Sequence, residues 1–141
     1  MTRALFNVRW IHPTRFASHW KQKQFLAFSL CDAGLVELVS SEALVYEAEQ
    51  NPLLIRREHS YFVLAKARTT INVTASVKER ASQFLQHGIT PLDAVHLALA
   101  EASQADYFCT CDDQLARKAR RTDDLQVKIV SLLDLMQEIE K

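Results

Sequence analysis

Residues 90–119 constrain the fold more than any other stretch of the chain. From Ile89 they read ITPLDAVHLALAEASQADYFCTCDDQLARKA, a sharply started helix, a short apolar run and two consecutive aspartates. Gly88 breaks whatever precedes, Thr90 has an N-capping side chain, and Pro91 suits the first helical position. Asp93 falls at the third, where free N–H groups and the helix dipole favour an anion. Leu92, Val95, Leu99 and Ala102 recur at helical spacing, which predicts that they form the core face. Asp93, Leu97 and Ala100 lie along a neighbouring line, so Asp93 is expected beside the core rather than in it. The run Asp106-Tyr107-Phe108-Cys109-Thr110 reads as a strand buried on both faces. Asp112 and Asp113 follow at its carboxyl end, the edge at which open α/β sheets bind ligands.

The flanking sequence alternates in the same way. The segment from Trp20 to Gly34 reads as a helix, Leu35–Val39 as a strand, and Ser40 or Ser41 as the cap of a helix from Glu42 to Gln50, stopped by Asn51-Pro52. A helix is expected from Pro52 to Arg68, with Leu54, Phe62, Leu64 and Ala65 available for burial. Thr70–Val73 is a strand candidate, and Ser76–Gln86 a helix with Val77, Ala81 and Phe84 on one face. Val127–Val130 and Leu132–Ile139 complete the series. Strands separated by helices imply a parallel sheet covered on both sides, a three-layer α/β/α sandwich.

Composition adds bounds. At 141 residues and 48% hydrophobic, the chain is expected to be a single domain, 1–141, with a sizeable core. The 17 basic and 17 acidic residues cancel, so any nucleic-acid contact requires a local basic patch. Arg117, Lys118, Arg120 and Arg121, just beyond Asp112, form one; they also fit the cation-favouring end of a helix. Cys31, Cys109 and Cys111 make an odd number in a chain with no secretory signal and no long apolar span. That predicts a reducing cytoplasm and no membrane association. The cysteines lack the paired spacing of a zinc site.

At this point the sequence resembles a known family. TPLDAVHLALAEASQADYFCTCDDQL resembles the second half of a PIN domain, the small α/β fold of metal-dependent nucleases that includes the toxins of many toxin–antitoxin pairs. LVELVSSEALVYEAEQNP resembles the segment carrying that family's second acid, and VKIVSLLDLMQEI its closing strand and helix, so the likeness runs from about Leu26 to Lys141. It implies an endoribonuclease using Mg²⁺ or Mn²⁺, with Glu47, Asp93 and Asp112 as catalytic metal ligands and Asp113 as an adjacent one. RNA is the implied substrate, held in part by Arg117, Lys118, Arg120 and Arg121, and an antitoxin protein or a second copy are the implied partners.

Glu47 matches the family's serine-to-glutamate spacing from Ser41, and Asp112 matches its Thr-x-Asp offset from Thr110. Gln114 stands where many relatives carry a further acid. The chemistry suits these residue types: phosphodiester hydrolysis needs a poised water and stabilisation of charge on phosphorus oxygens, which bound divalent cations supply. Mg²⁺ takes hard oxygen ligands and keeps several waters, so a few carboxylates suffice. Each acid also has a plainer reading, Glu47 as a solvated helical glutamate, Asp93 and Asp112 as helix-start anions. His96, between Leu92 and Leu99, reads as a hydrogen-bonded, partly buried histidine rather than a ligand.

The opening MTRALFNVRWIHPTRFASHWKQKQF departs from the pattern. A PIN domain begins with a buried strand ending in Leu-Asp-Thr or similar, yet no Asp or Glu precedes Asp32. Two tryptophans, two histidines and several basic residues suit a central parallel strand poorly, so the first strand is expected to be missing or replaced and residues 1–25 to be atypical. Back-translated into another frame, Leu5–Phe25 can yield a string resembling the Arg-Pro-Leu-Asp turn and Leu-Glu-Ala-Glu-Ala helix of relatives. A frame shift upstream of about Phe25 is one expectation, and a divergent N-terminus the other. Either way, loss of the first acid implies impaired activity, with a catalytically inactive PIN-fold binding module or truncated gene product as the alternative.

Overall fold

The structure is a computed structural model that describes residues 2–6, 29–50, 52–67, 69–110 and 112–140. In chain order the elements are β1 (Thr2–Phe6), a helical stretch α1 (29–32), β2 (Val36–Ser41), α2 (Glu42–Glu49), α3 (Leu54–Leu64) and β3 (Thr69–Ile71). There follow α4 (Ala75–Leu85), α5 (Pro91–Ala102), β4 (Tyr107–Cys109), α6 (Asp113–Arg120), β5 (Lys128–Val130) and α7 (Leu132–Glu140). The five strands form one sheet in the order β3-β2-β1-β4-β5, and every pairing is parallel. With its helices the sheet makes the expected three-layer α/β sandwich. Among the described residues no helix is long and apolar enough to cross a membrane.

The expectation that the first strand is missing or replaced resolves as replacement. Thr2–Phe6 occupies the centre of the sheet, pairing Ala4 with Leu38 of β2 on one side and with Tyr107 of β4 on the other. Arg3 fixes that placement: its backbone N–H donates to Asp106 Oδ2 at 2.8 Å, Asp106 N–H donates to Arg3 O at 2.9 Å, and its guanidinium donates to Ser103 O at 2.7 Å. Pairing on both sides makes TRALF a strand although its composition does not announce one, because strand formation depends on neighbours more than on propensity. The rest of the atypical stretch, residues 7–25 of the frame-shift reading, and the helix expected before residue 29 lie outside the described residues.

Local signals explain most boundaries. Ser41 caps α2, its hydroxyl accepting from Leu44 N–H at 3.1 Å, and Thr74 caps α4 by accepting from Val77 N–H at 3.3 Å. Gly34, at φ +74°, closes α1 with Leu35 N–H donating to Leu30 O, a left-handed terminus that favours glycine. Val77, Ala81 and Phe84 are buried as their spacing requires.

Two core assignments are corrected. On α5 the buried residues are Asp93, Ala94, His96, Leu97, Ala98, Leu99 and Ala100, while Leu92 and Val95 are half-buried and Ala102 is exposed. Asp93 is therefore in the core, not beside it. The helix packs on α4, α2 and β4 together, so it has no single apolar stripe for periodicity to find. On α3 only Leu64 of the four expected core residues is buried; Leu54 and Phe62 are 61% and 56% exposed, and Ala65 is exposed.

Candidate functional site at the carboxyl edge of the sheet

An all-parallel sheet gathers all its strand ends at one edge. In the order β3-β2-β1-β4-β5 the chain first winds outward from β1 through β2 and β3, then returns to the other side of β1 at β4. The switch point lies between β1 and β4, where open sheets leave a crevice for ligands. Among the helices that start at this edge are α2, α5 and α6. α2 follows β2 directly, α6 follows β4, and α5 runs back along β4 to which it is joined by a short turn, so its first residues lie at the carboxyl end too.

Asp93 occupies the first turn of α5 and is 3% exposed. Thr90 stands at the N-cap position but makes no capping bond; instead its hydroxyl donates to Asp93 Oδ2 at 2.9 Å. The expected cap has become the partner of the acid, and it supports an anion together with the helix dipole.

Glu47 lies on α2 with its side chain 17% exposed, so the solvated-glutamate reading does not hold. Its Oε2 is 2.6 Å from Nε2 of His96, which is fully buried on α5. Glu47 and His96 each sit five positions into helices that start at the same edge, so the pair is level, about 7.5 Å in. Asp93 lies three residues before His96, about one helical turn away. The structure thus brings Glu47 onto the helix that carries Asp93.

Asp112 is the N-cap of α6, its Oδ1 accepting from Gln114 N–H at 3.0 Å and Leu115 N–H at 3.1 Å. Its own N–H donates to Thr110 Oγ1 at 3.1 Å, which ties the Thr-x-Asp unit into one turn. One carboxylate oxygen is therefore engaged in starting the helix. Asp113, exposed, is the first residue of α6. Beyond it, Arg117 is exposed and its Nε donates to Asp113 O at 3.3 Å. Lys118 Nζ donates to Gly88 O at 3.0 Å, tying α6 to the turn before α5, and Arg120 donates to Ile129 O at 3.1 Å. Arg121, exposed, is the C-cap.

Among the described residues no group of three or more His, Cys, Asp and Glu side chains is arranged to hold a metal ion. The donor chemistry nevertheless suits a hard divalent cation, because Asp93 and Glu47 supply carboxylate oxygens from adjoining helices. Mg²⁺ is commonly held by one or two carboxylates, with waters and substrate phosphate completing its shell. Cys109 is buried in β4 and Cys111 lies outside the described residues. The interaction that sequence reasoning missed is His96 with Glu47. From the sequence His96 reads as a hydrogen-bonded side chain, but its partner sits on another helix, and only its position one turn after Asp93 points to the site.

This is a doubly wound, all-parallel α/β domain with acidic residues on α2, on α5 and at the start of α6, and folds of that class bind ligands at the carboxyl edge of the sheet. The PIN domain model matches residues 19–121, and the chain belongs to that family. Solved structures agree on the fold. PAE2754 from Pyrobaculum aerophilum superposes with a TM-score of 0.55 at 16% identity, covering 99% of this chain and 97% of that one. DNA-bound VapBC from Salmonella typhimurium superposes with a TM-score of 0.53 at 14% identity, covering 94% of this chain and 99% of that one. No curated protein sequence matches significantly.

Proposed function

We propose that this PIN-domain protein is a Mg²⁺- or Mn²⁺-dependent endoribonuclease of the kind found as a toxin in toxin–antitoxin pairs, with reduced activity. The observation that carries this reading is the buried carboxylate of Asp93 at the carboxyl edge, with Glu47 brought to the same helix. Asp93 and Glu47 are the residues that would hold the cation, with Asp112 and Asp113 at the start of α6 as further candidate ligands. When bound, the cation supplies charge stabilisation at the scissile phosphate and a more acidic water. The chain's own residues fix the acids: Thr90 orients Asp93, and Thr110 with the α6 N–H groups orients Asp112. Arg117, Lys118, Arg120 and Arg121 place positive charge along α6, where it offsets the RNA backbone.

Reduced activity follows from β1. The central strand TRALF brings no acid to the crevice, so a cation there has fewer anionic ligands and is held less tightly. A protein partner, antitoxin or second copy, is supported by the exposed Tyr46, Leu54, Ile55 and Phe62 on α2 and α3, large apolar side chains of the kind that interfaces cover. A cytoplasmic location accords with this reading. The same acid-free β1, with Asp112 Oδ1 engaged in capping α6, favours the second reading, a PIN-fold binding module without catalysis.

Cleavage of a labelled RNA by purified protein with Mn²⁺, with EDTA and in the Asp93→Asn variant separates the two. The nuclease reading predicts slow cleavage abolished by EDTA and lowered in the variant on the order of 100-fold or more, the scale of removing one charge-stabilising group at a reacting centre. No cleavage in either form overturns it in favour of the binding module.

A further inference from the structure

We propose that His96 is a positioning residue that locks the carboxylate of Glu47 in the orientation needed to bind the divalent cation; the inference rests on the functional reading above. His96 is fully buried on α5, and its Nε2 lies 2.6 Å from Glu47 Oε2 on α2. A carboxylate only accepts, so the proton in that contact belongs to the imidazole, which fixes Nε2–H as the donor. The other ring nitrogen, Nδ1, is buried and has no hydrogen-bond partner among the described residues. A proton there would bury an N–H without an acceptor among them, an arrangement folded proteins avoid. The tautomer is therefore the one with its proton on Nε2.

The Glu47 side chain thereby loses the rotational freedom that a helical glutamate normally has, since a ring held on all sides by core packing grips one oxygen. Residues that hydrogen-bond a metal ligand from behind commonly set affinity by 10–100-fold. His96 stands in that relation to Glu47 and is one turn from Asp93, so one helix both carries one acid and aims the other.

The test is Mn²⁺ affinity, measured calorimetrically on the full chain without RNA for the wild type, His96→Leu, His96→Gln, Glu47→Gln and the double variant His96→Leu/Glu47→Gln. A glutamine amide places a donor near the Nε2 position, whereas leucine places none. Positioning predicts that His96→Leu raises the Kd about 10–100-fold, that His96→Gln recovers most of the loss, and that His96→Leu adds nothing once Glu47 is glutamine. If His96→Leu does not fold, His96→Asn, polar but too short to reach Glu47, takes its place with the same expectation. An unchanged Kd in the His96 variants, where Glu47→Gln does weaken binding, overturns the positioning role alone. So does an equal loss in the Glu47→Gln background, which marks a purely structural histidine. An unchanged Kd in Glu47→Gln overturns the metal reading itself, and the positioning role with it.

Discussion

Asp93 shows what a single buried charge requires of its surroundings. A carboxylate almost wholly removed from water is costly unless hydrogen bonds or opposite charge compensate it. Here the Thr90 hydroxyl and the start of α5 supply part of that compensation, and a divalent cation would add to it. Cys31 presents the opposite case, an ionisable group kept neutral. Burial pushes its thiol up to about 11, partly offset by Lys66. At pH 8 this leaves about a hundredfold less thiolate than at the ordinary value of 9.0, and thiolate is the reactive form. Alkylation followed by mass spectrometry should find Cys31 slow at pH 8 and rapid only as the pH nears 11; a rate equal to that of free cysteine would contradict the burial. The same shift has a stability sign. A thiol raised in the folded state contributes stability that is full below the ordinary value and is lost as the pH rises through about 11.

Among the elements, α5 binds the site to the rest of the protein. Its Glu101 accepts two bonds from Arg80 of α4, at 2.6 and 3.1 Å, and a third from Gln126 N–H at 2.8 Å. Arg80 also reaches Asp124 and lies over the Phe84 ring, 4.4 Å from its centroid. The pair is largely shielded, with side chains 20% and 9% exposed, and the guanidinium is pushed up chiefly by its bond to Glu101. Arg80→Met should lower stability by about 2–3 kcal/mol, the range for a charged hydrogen-bond network left with an unpaired member. Denaturant unfolding would show this as a lower midpoint; no change would mean that the network is a surface ornament. The basic residues of α6 divide by their bonds. Lys118 and Arg120 are tied to backbone carbonyls of neighbouring elements, while Arg117 bonds within its own helix.

For the whole molecule, the parallel sheet and the alternation of strands and helices from β2 onward were legible because helix starts carry local chemistry. Ser41 and Pro91 each sit where the chain requires them, and Val77, Ala81 and Phe84 share the face that their spacing gives them. What was not legible depended on packing from elsewhere. TRALF is a strand because β2 and β4 flank it, and Asp93 is buried because α2, α4 and β4 enclose its helix. Leu54 and Phe62, read as core, remain exposed because burial of an apolar residue needs a partner element, not only a hydrophobic side chain. The candidate site follows the same division. Its acids could be named from their spacing, but the link between Glu47 and α5 through His96 exists only in three dimensions.

The central claim is that Asp93 and Glu47 form a divalent-cation site at the carboxyl edge of the sheet. Anomalous scattering from crystals soaked in Mn²⁺ tests it most directly. A cation site formed by these two acids predicts a peak within coordination distance of carboxylate oxygens of both Asp93 and Glu47. Manganese only at exposed acids such as Asp113, with no density at Asp93, would contradict it.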